Sequence, residues 1–179
     1  MDYIVHTGRP KDSSGRLEKE MRAYDLLDSL GIEYQRVDHE ALETMDACEG
    51  VDKAFGVAMC KNLFLCNAQR TKFYLLLMLG YKKFLTKDLS KQIGSARLSF
   101  GSAGDMERLM EIAPGSVTVM GLMNDKDHQV QLIIDEELLK EPYMACHPCI
   151  NTSSIKLRTD DVLKKLLPAI EHEPIFVRL

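Results

Sequence analysis

Residues 61–79, KNLFLCNAQRTKFYLLLML, place two apolar runs on either side of a short polar one. Leu63 to Cys66 and Phe73 to Leu79 predict two strands, joined through the turn region Asn67 to Thr71. The second run is poor in β-branched residues, so a helix stays open for it on composition alone.

N-terminal to this pair, a polar arm containing Ser13, Ser14 and Gly15 precedes apolar residues at Leu17, Met21, Tyr24, Leu27 and Leu30, then Gly31. That spacing predicts an amphipathic helix closed by a glycine. Ile32, Tyr34 and Val37 suggest a short strand, followed by a polar connection through Glu49. On the C-terminal side, Thr86 opens a helix through Ile93, and Ser102 with Asp105 forms an N-cap pair ahead of Met106, Leu109 and Met110. Pro114-Gly115 marks a turn. Val117 to Met123 and Val130 to Ile134 predict strands flanking the turn Asn124 to His128, and Ser154 to Leu157 predicts another. Thr159 caps a helix carrying Asp160 and Asp161 in its first turn, and Ile175 to Leu179 returns as an edge strand. Strands and helices interleave without a regular β-α-β alternation, and no repeat or linker divides them. The expectation is one α+β domain over residues 1–179 with a mixed sheet.

The chain has 179 residues, 45% hydrophobic and 28% charged, enough apolar material for one good core. No apolar stretch approaches the roughly 20 residues of a membrane span, and the N-terminus lacks a signal-peptide pattern, which predicts a cytoplasmic protein with no membrane partner. Five cysteines fit reduced thiols better than a disulfide framework. Cys146 and Cys149, with His147 and Pro148 between them, form a C-x-x-C that a redox pair or half of a zinc site would also show. Net charge is −4, unevenly distributed: Lys61 to Arg97 holds eight basic residues against Asp88 alone, a local +7 in an otherwise acidic chain. Such an excess favours a polyanionic partner, although a solvated face has the same composition.

Phosphate-loop, dinucleotide-binding, zinc-protease and nucleophile-elbow motifs are absent, and His6, His39, His128, His147 and His172 have no metal-ligand spacing. Lys61-Asn62-Leu63-Phe64-Leu65, Arg97-Leu98-Ser99-Phe100, Pro114-Gly115-Ser116-Val117-Thr118, Gly121-Leu122-Met123-Asn124-Asp125 and His147-Pro148 occur in that order. Together they resemble the prolyl-tRNA editing proteins of the YbaK/ProX type, homologous to the editing domain inserted in many bacterial prolyl-tRNA synthetases. The resemblance runs from about Leu17 to the C-terminus.

It implies a mixed sheet folded partly around itself and packed with helices, and hydrolysis of an aminoacyl ester on tRNA without metal or cofactor. The implied substrate is alanine mischarged onto tRNA(Pro), with prolyl-tRNA synthetase as a candidate partner. By this resemblance Lys61 is the key active-site residue. An ammonium beside a pocket holds a phosphate or polarises the ester carbonyl. Asn62 orients substrate, Gly115 and Ser116 admit the aminoacyl group to the backbone, His147 narrows the pocket as a sieve, and Thr44 lines it. No side chain announces itself as a general base, which favours help from the neighbouring ribose hydroxyl. Lys82, Lys83, Lys87 and Lys91, apart from the pocket motifs in sequence, are expected to contact tRNA phosphates.

Val119 and Met120 stand where many members have Pro-Phe, and Cys146 and Cys149 where an aromatic and a polar residue are common. These departures bear on side-chain preference. Deacylation of cysteinyl, seryl or threonyl esters, and tRNA binding without turnover, are the alternatives.

Overall fold

A computed structural model of the chain describes residues 3–42, 44 and 46–179. A five-stranded mixed sheet has the order β5 (Leu98–Phe100), β3 (Cys60–Asn67), β4 (Phe73–Leu79), β6 (Val130–Asp135) and β9 (Ile175–Val177). β3 pairs antiparallel with β4 and β5, while β4–β6 and β6–β9 are parallel. A four-stranded antiparallel sheet runs β1 (Val5–Thr7), β2 (Tyr34–Asp38), β8 (Ser153–Arg158) and β7 (Tyr143–Cys146). A single bridge between Met59 and Ala145 joins the two at the start of β3. The α+β class with a mixed sheet thus holds, the strands being shared between two sheets.

Pairing of Lys61 with Met78 and Leu65 with Tyr74 sets the faces of the central hairpin. Cys60, Phe64 and Cys66 face a core shared with Leu75, Leu77 and Leu79, the helix α1 (Glu18–Ser29) and the second sheet. Leu65, Leu76 and Met78 face a second cluster with Leu89 of the helix α3 (Thr86–Ile93). Because β4 is covered on both sides, it shows no hydrophobic alternation. α2 (Glu49–Phe55) and α4 (Ala103–Met110) complete the longer helices. The C-terminal helical segment comprises α5 (Thr159–Asp161), a π turn over Val162–Leu166 and α6 (Leu167–Ala169).

Three local expectations change. The Val117 to Met123 stretch is no strand: Val119–Asn124 forms a 3-10 helix, started by Thr118, whose hydroxyl accepts from the Met120 amide. Thr159 does not cap its helix, because its hydroxyl donates to the Glu141 carbonyl at 2.6 Å. α2 occupies part of what reads in sequence as a polar connection, burying Val51 and Phe55.

Ser102 does cap α4, accepting from the Asp105 amide at 3.1 Å. Hydrogen bonds from Arg70, and then from Arg108 and Ser102, hold the Asp105 carboxyl down at about 2 despite its partial burial. In the unfolded chain the same group titrates near 4. Its contribution to stability is therefore complete above that value and is lost as pH falls from about 4 to about 2. Urea midpoints at pH 6 and pH 3 are expected to converge in Asp105→Asn relative to the parent; an unchanged pH sensitivity would contradict this.

Candidate active site

Where the two sheets meet, a cavity of about 290 Å³ opens at the start of β3. It is lined by Met59, Cys60, Lys61, Asn62 and Leu63 from around the start of β3, by Gly115 and Val117, by His147, and by Leu42, Thr44 and Cys48. Five residues expected from sequence, Lys61, Asn62, Thr44, Gly115 and His147, converge here from segments far apart in the chain.

Lys61 and Asn62 are successive residues of a strand, so their side chains leave opposite faces of it. The Lys61 ammonium donates to the Lys82 carbonyl at 2.5 Å, which leaves two of its three hydrogens for a ligand. Asn62 donates through Nδ2 to the Cys60 carbonyl at 3.0 Å, and its Oδ1 is sealed from solvent with no partner among the described residues. Such an acceptor is costly to leave unpaired, and a substrate donor reaches it only if the amide turns toward the cavity that Asn62 lines. Gly115 has φ +87°, and a side chain there would press on Asn151, so glycine suits both the turn and the open wall.

His147 is 8% exposed; burial lowers its pKa and keeps the ring neutral. Its carbonyl accepts from the Thr118 hydroxyl at 2.7 Å, tying the His147-Pro148 turn to the start of the 3-10 helix. Behind it, Arg16 joins Glu20 at 2.6 Å and Asp38 at 2.9 Å, and Ser153 donates to Asp38 at 2.5 Å. Burial pushes the Asp38 carboxyl up, but Arg16, Arg36 and Ser153 outweigh it and leave the group ionised well below the usual range. This network fixes the ends of β2 and β8 against which the His147 turn rests.

Two residues depart from expectation. Ser116, adjacent to Gly115, turns away from the cavity: it is buried and its hydroxyl donates to the Ala113 carbonyl at 2.8 Å. Lys82 is not a free surface cation. Its ammonium lies 2.5 Å from Asp135 and 2.6 Å from Glu137, with the side chain 13% exposed. Nor is the basic segment remote from the pocket, since the Lys82 backbone holds the Lys61 ammonium. Lys83, Lys87 and Lys91 are exposed and make no ion pair among the described residues.

Sequence reasoning did not single out Leu42, Cys48 or Met59, which supply apolar wall. None of the three carries a motif, whereas Val117, also in the wall, belongs to the Pro114 to Thr118 motif. Val119, Met120, Cys146 and Cys149, the departures from the family pattern, are all buried and do not line the cavity. Burial pushes the thiols of Cys60, Cys146 and Cys149 up to about 12, so they are protonated near neutral pH. No group of three or more potential metal ligands occurs among the described residues. Nor is any helix among them long and apolar enough to cross a membrane.

The chain is 31% identical over 143 residues to the prolyl-tRNA editing protein ProX of Acetoanaerobium sticklandii, covering 80% of this chain and 87% of that one. It is 27% identical over 166 residues to the mouse prolyl-tRNA synthetase associated domain-containing protein 1, covering 90% and 95%. Its fold matches a crystal structure described as a candidate trans-editing enzyme for prolyl tRNA synthetase, with TM-score 0.67 and 16% identity over 91% of this chain and 98% of the other. The model of the aminoacyl-tRNA editing domain matches residues 39–165, a span that contains every side chain lining the cavity. This chain belongs to the aminoacyl-tRNA editing domain family.

Proposed function

We propose that this protein is a trans-editing deacylase that removes alanine from mischarged tRNA(Pro), working in the cytoplasm as a single domain and without a metal. The observation that carries the reading is the small cavity in which one ammonium, Lys61, stands among neutral and apolar groups. Water adds to the ester carbonyl, and negative charge develops on its oxygen before the bond to the ribose oxygen breaks. Lys61 supports that charge with hydrogens left over from its bond to Lys82, and a low-dielectric surrounding strengthens the effect. The Asn62 amide turns into the cavity it lines, so that its otherwise unpartnered Oδ1 accepts from a substrate donor such as the ribose hydroxyl. That hydroxyl then helps position the attacking water, so a dedicated side-chain base is not required.

Leu42, Met59 and Val117 bound the side-chain end, with Gly115 offering backbone. The apolar residues at this end, rather than the volume of the whole cavity, are what accept a methyl group and exclude a pyrrolidine ring in this reading. A proline-activating site cannot strongly reject the smaller alanine, because a missing methylene is worth only about 1–3 kcal/mol. A second, smaller pocket corrects the error. Prolyl-tRNA synthetase, which produces the mischarged species, is the natural partner in this scheme.

The test is a panel of tRNAs charged with alanine, cysteine, serine, threonine and proline. Alanyl-tRNA(Pro) is expected to be deacylated faster than prolyl-tRNA(Pro) by about 100-fold or more. Equal or preferred hydrolysis of the prolyl ester would overturn the assignment. Faster hydrolysis of a cysteinyl, seryl or threonyl ester would move the substrate, and binding without turnover would leave a tRNA-binding module.

A further inference from the structure

A chain of hydrogen bonds runs back from His147 into the four-stranded sheet. His39 directly follows β2, and its Nδ1 lies 2.7 Å from the Glu40 carbonyl oxygen. A carbonyl only accepts, so this nitrogen carries a proton. Burial lowers the pKa of His39, which leaves the ring neutral and Nε2 with a lone pair. The Ser154 hydroxyl, 2.8 Å away, donates to that lone pair. With its hydrogen committed, the same hydroxyl offers only an acceptor to His147 Nδ1 at 3.4 Å. The Ser153 carbonyl, 2.9 Å from that Nδ1, makes the same demand.

His147 therefore holds its proton on Nδ1, and the neutral ring has an unprotonated Nε2. That nitrogen has no partner among the described residues, and the ring borders the cavity. The charged and titratable groups around it are few. His39 stacks obliquely at 6.0 Å between ring centroids, and Cys48, Cys60 and Lys61 line the cavity. No carboxylate lines it among the described residues. A cationic group entering beside Lys61 must therefore be met by a neutral acceptor.

We propose that His39 and Ser154 are positioning residues that reinforce the Ser153 carbonyl in holding His147 in its Nδ1–H tautomer, so that Nε2 accepts a hydrogen bond from the α-ammonium group of the aminoacyl ester. The ammonium contact rests on the deacylase reading; the tautomer does not. The opposite tautomer would present an N–H to the substrate's own N–H groups and repel them. His147 thus acts on the invariant part of an amino acid as well as bounding its side chain.

Two measurements test this. Nitrogen-15 spectra of histidine-labelled protein without substrate are expected to show His147 as Nδ1–H in the parent and in His39→Gln. The glutamine keeps one donor for Glu40 and one acceptor for Ser154. His39→Leu and Ser154→Ala are expected to gain a minor Nε2–H population, since the Ser153 carbonyl remains, with circular dichroism confirming that they fold. Kinetics then compare alanyl-tRNA with N-acetyl-alanyl-tRNA. The parent is expected to favour the free amine by about 10- to 100-fold in kcat/KM, the range for a hydrogen bond to a charged group. His39→Leu is expected to lose part of that preference through KM, and His39→Gln to retain it. An Nε2–H ring in the parent, or an unaltered tautomer in both folded variants, overturns the positioning role. Equal use of the two esters overturns the ammonium contact. A parent inactive on every ester counts against the deacylase reading, and the spectra still decide the tautomer.

Discussion

Replacing Lys61 by alanine is expected to slow alanyl-tRNA hydrolysis by about 100- to 1,000-fold, the usual cost of removing one preorganised contact to developing negative charge. The loss should fall on kcat as well as kcat/KM, because the contact strengthens as the carbonyl oxygen becomes an anion. Folding should survive. Lys61 is half-buried at the start of β3, and among the described residues its ammonium bonds the Lys82 carbonyl, a bond worth about 1 kcal/mol net. Lys61→Arg serves as a control, since a guanidinium keeps the charge but not the compact geometry. Rates within a few-fold of the parent in a folded Lys61→Ala protein would remove the residue from the mechanism. A shifted urea midpoint with normal turnover would assign it to structure alone.

What could be read from sequence divides along physical lines. β3, β4, α1 and α3 were legible because apolar runs or helical spacing are local signals. Even so, β4 left strand and helix open, since a strand covered by α3 on one face and α1 on the other loses its alternation. The same loss explains the Val117 to Met123 stretch. Val119, Met120, Gly121, Leu122 and Met123 are all buried, so no period distinguishes strand from 3-10 helix. Gly121 fits against Ile112 and Met110, a packing constraint invisible in one sequence. α2 carries a weaker signal of the same local kind, with Val51 and Phe55 four residues apart among charged ones.

The cavity was legible only through the resemblance carried by its motifs. Nothing in composition singles out one lysine of a strand. Ser116 shows where motif reading stops: neighbouring residues of a turn can point to different sides of the backbone, and its hydroxyl is occupied by Ala113. His39 and Ser154 are separated by more than a hundred positions, and their pairing exists only in the folded sheet.

Lys82 gives the second large effect, and it reverses the reading that composition suggests for a lysine-rich segment. Lys82→Ala is expected to destabilise the protein by about 3–5 kcal/mol, as removal of one partner from a buried ion pair does. The side chain of Asp135 is 1% exposed and would be left without the ammonium at 2.5 Å, keeping among the described residues the Leu179 amide at 3.3 Å. Asp135 ends β6, so the strain falls on the parallel side of the sheet and on the C-terminal segment. Lys82→Ala combined with Asp135→Ala should recover much of the stability, because no uncompensated charge then remains buried. Lys83→Glu with Lys87→Glu is expected to behave in the opposite way. Both residues are exposed, so stability should change by only about 0.5 kcal/mol. Their tRNA affinity should fall, and its salt dependence should flatten by roughly 0.7–0.9 in log–log slope for each phosphate that is no longer neutralised. Denaturation curves and tRNA affinities across salt, measured on the same variants, separate the two roles. Weakened tRNA binding by a Lys82→Ala protein of normal stability would return Lys82 to the phosphate-binding set. Unaltered salt curves for the double glutamate variant would leave Lys83 and Lys87 as a solvated face. The lysine whose backbone carbonyl receives the Lys61 ammonium is thereby assigned to holding the loop beside the cavity, and its exposed neighbours to meeting the polyanion.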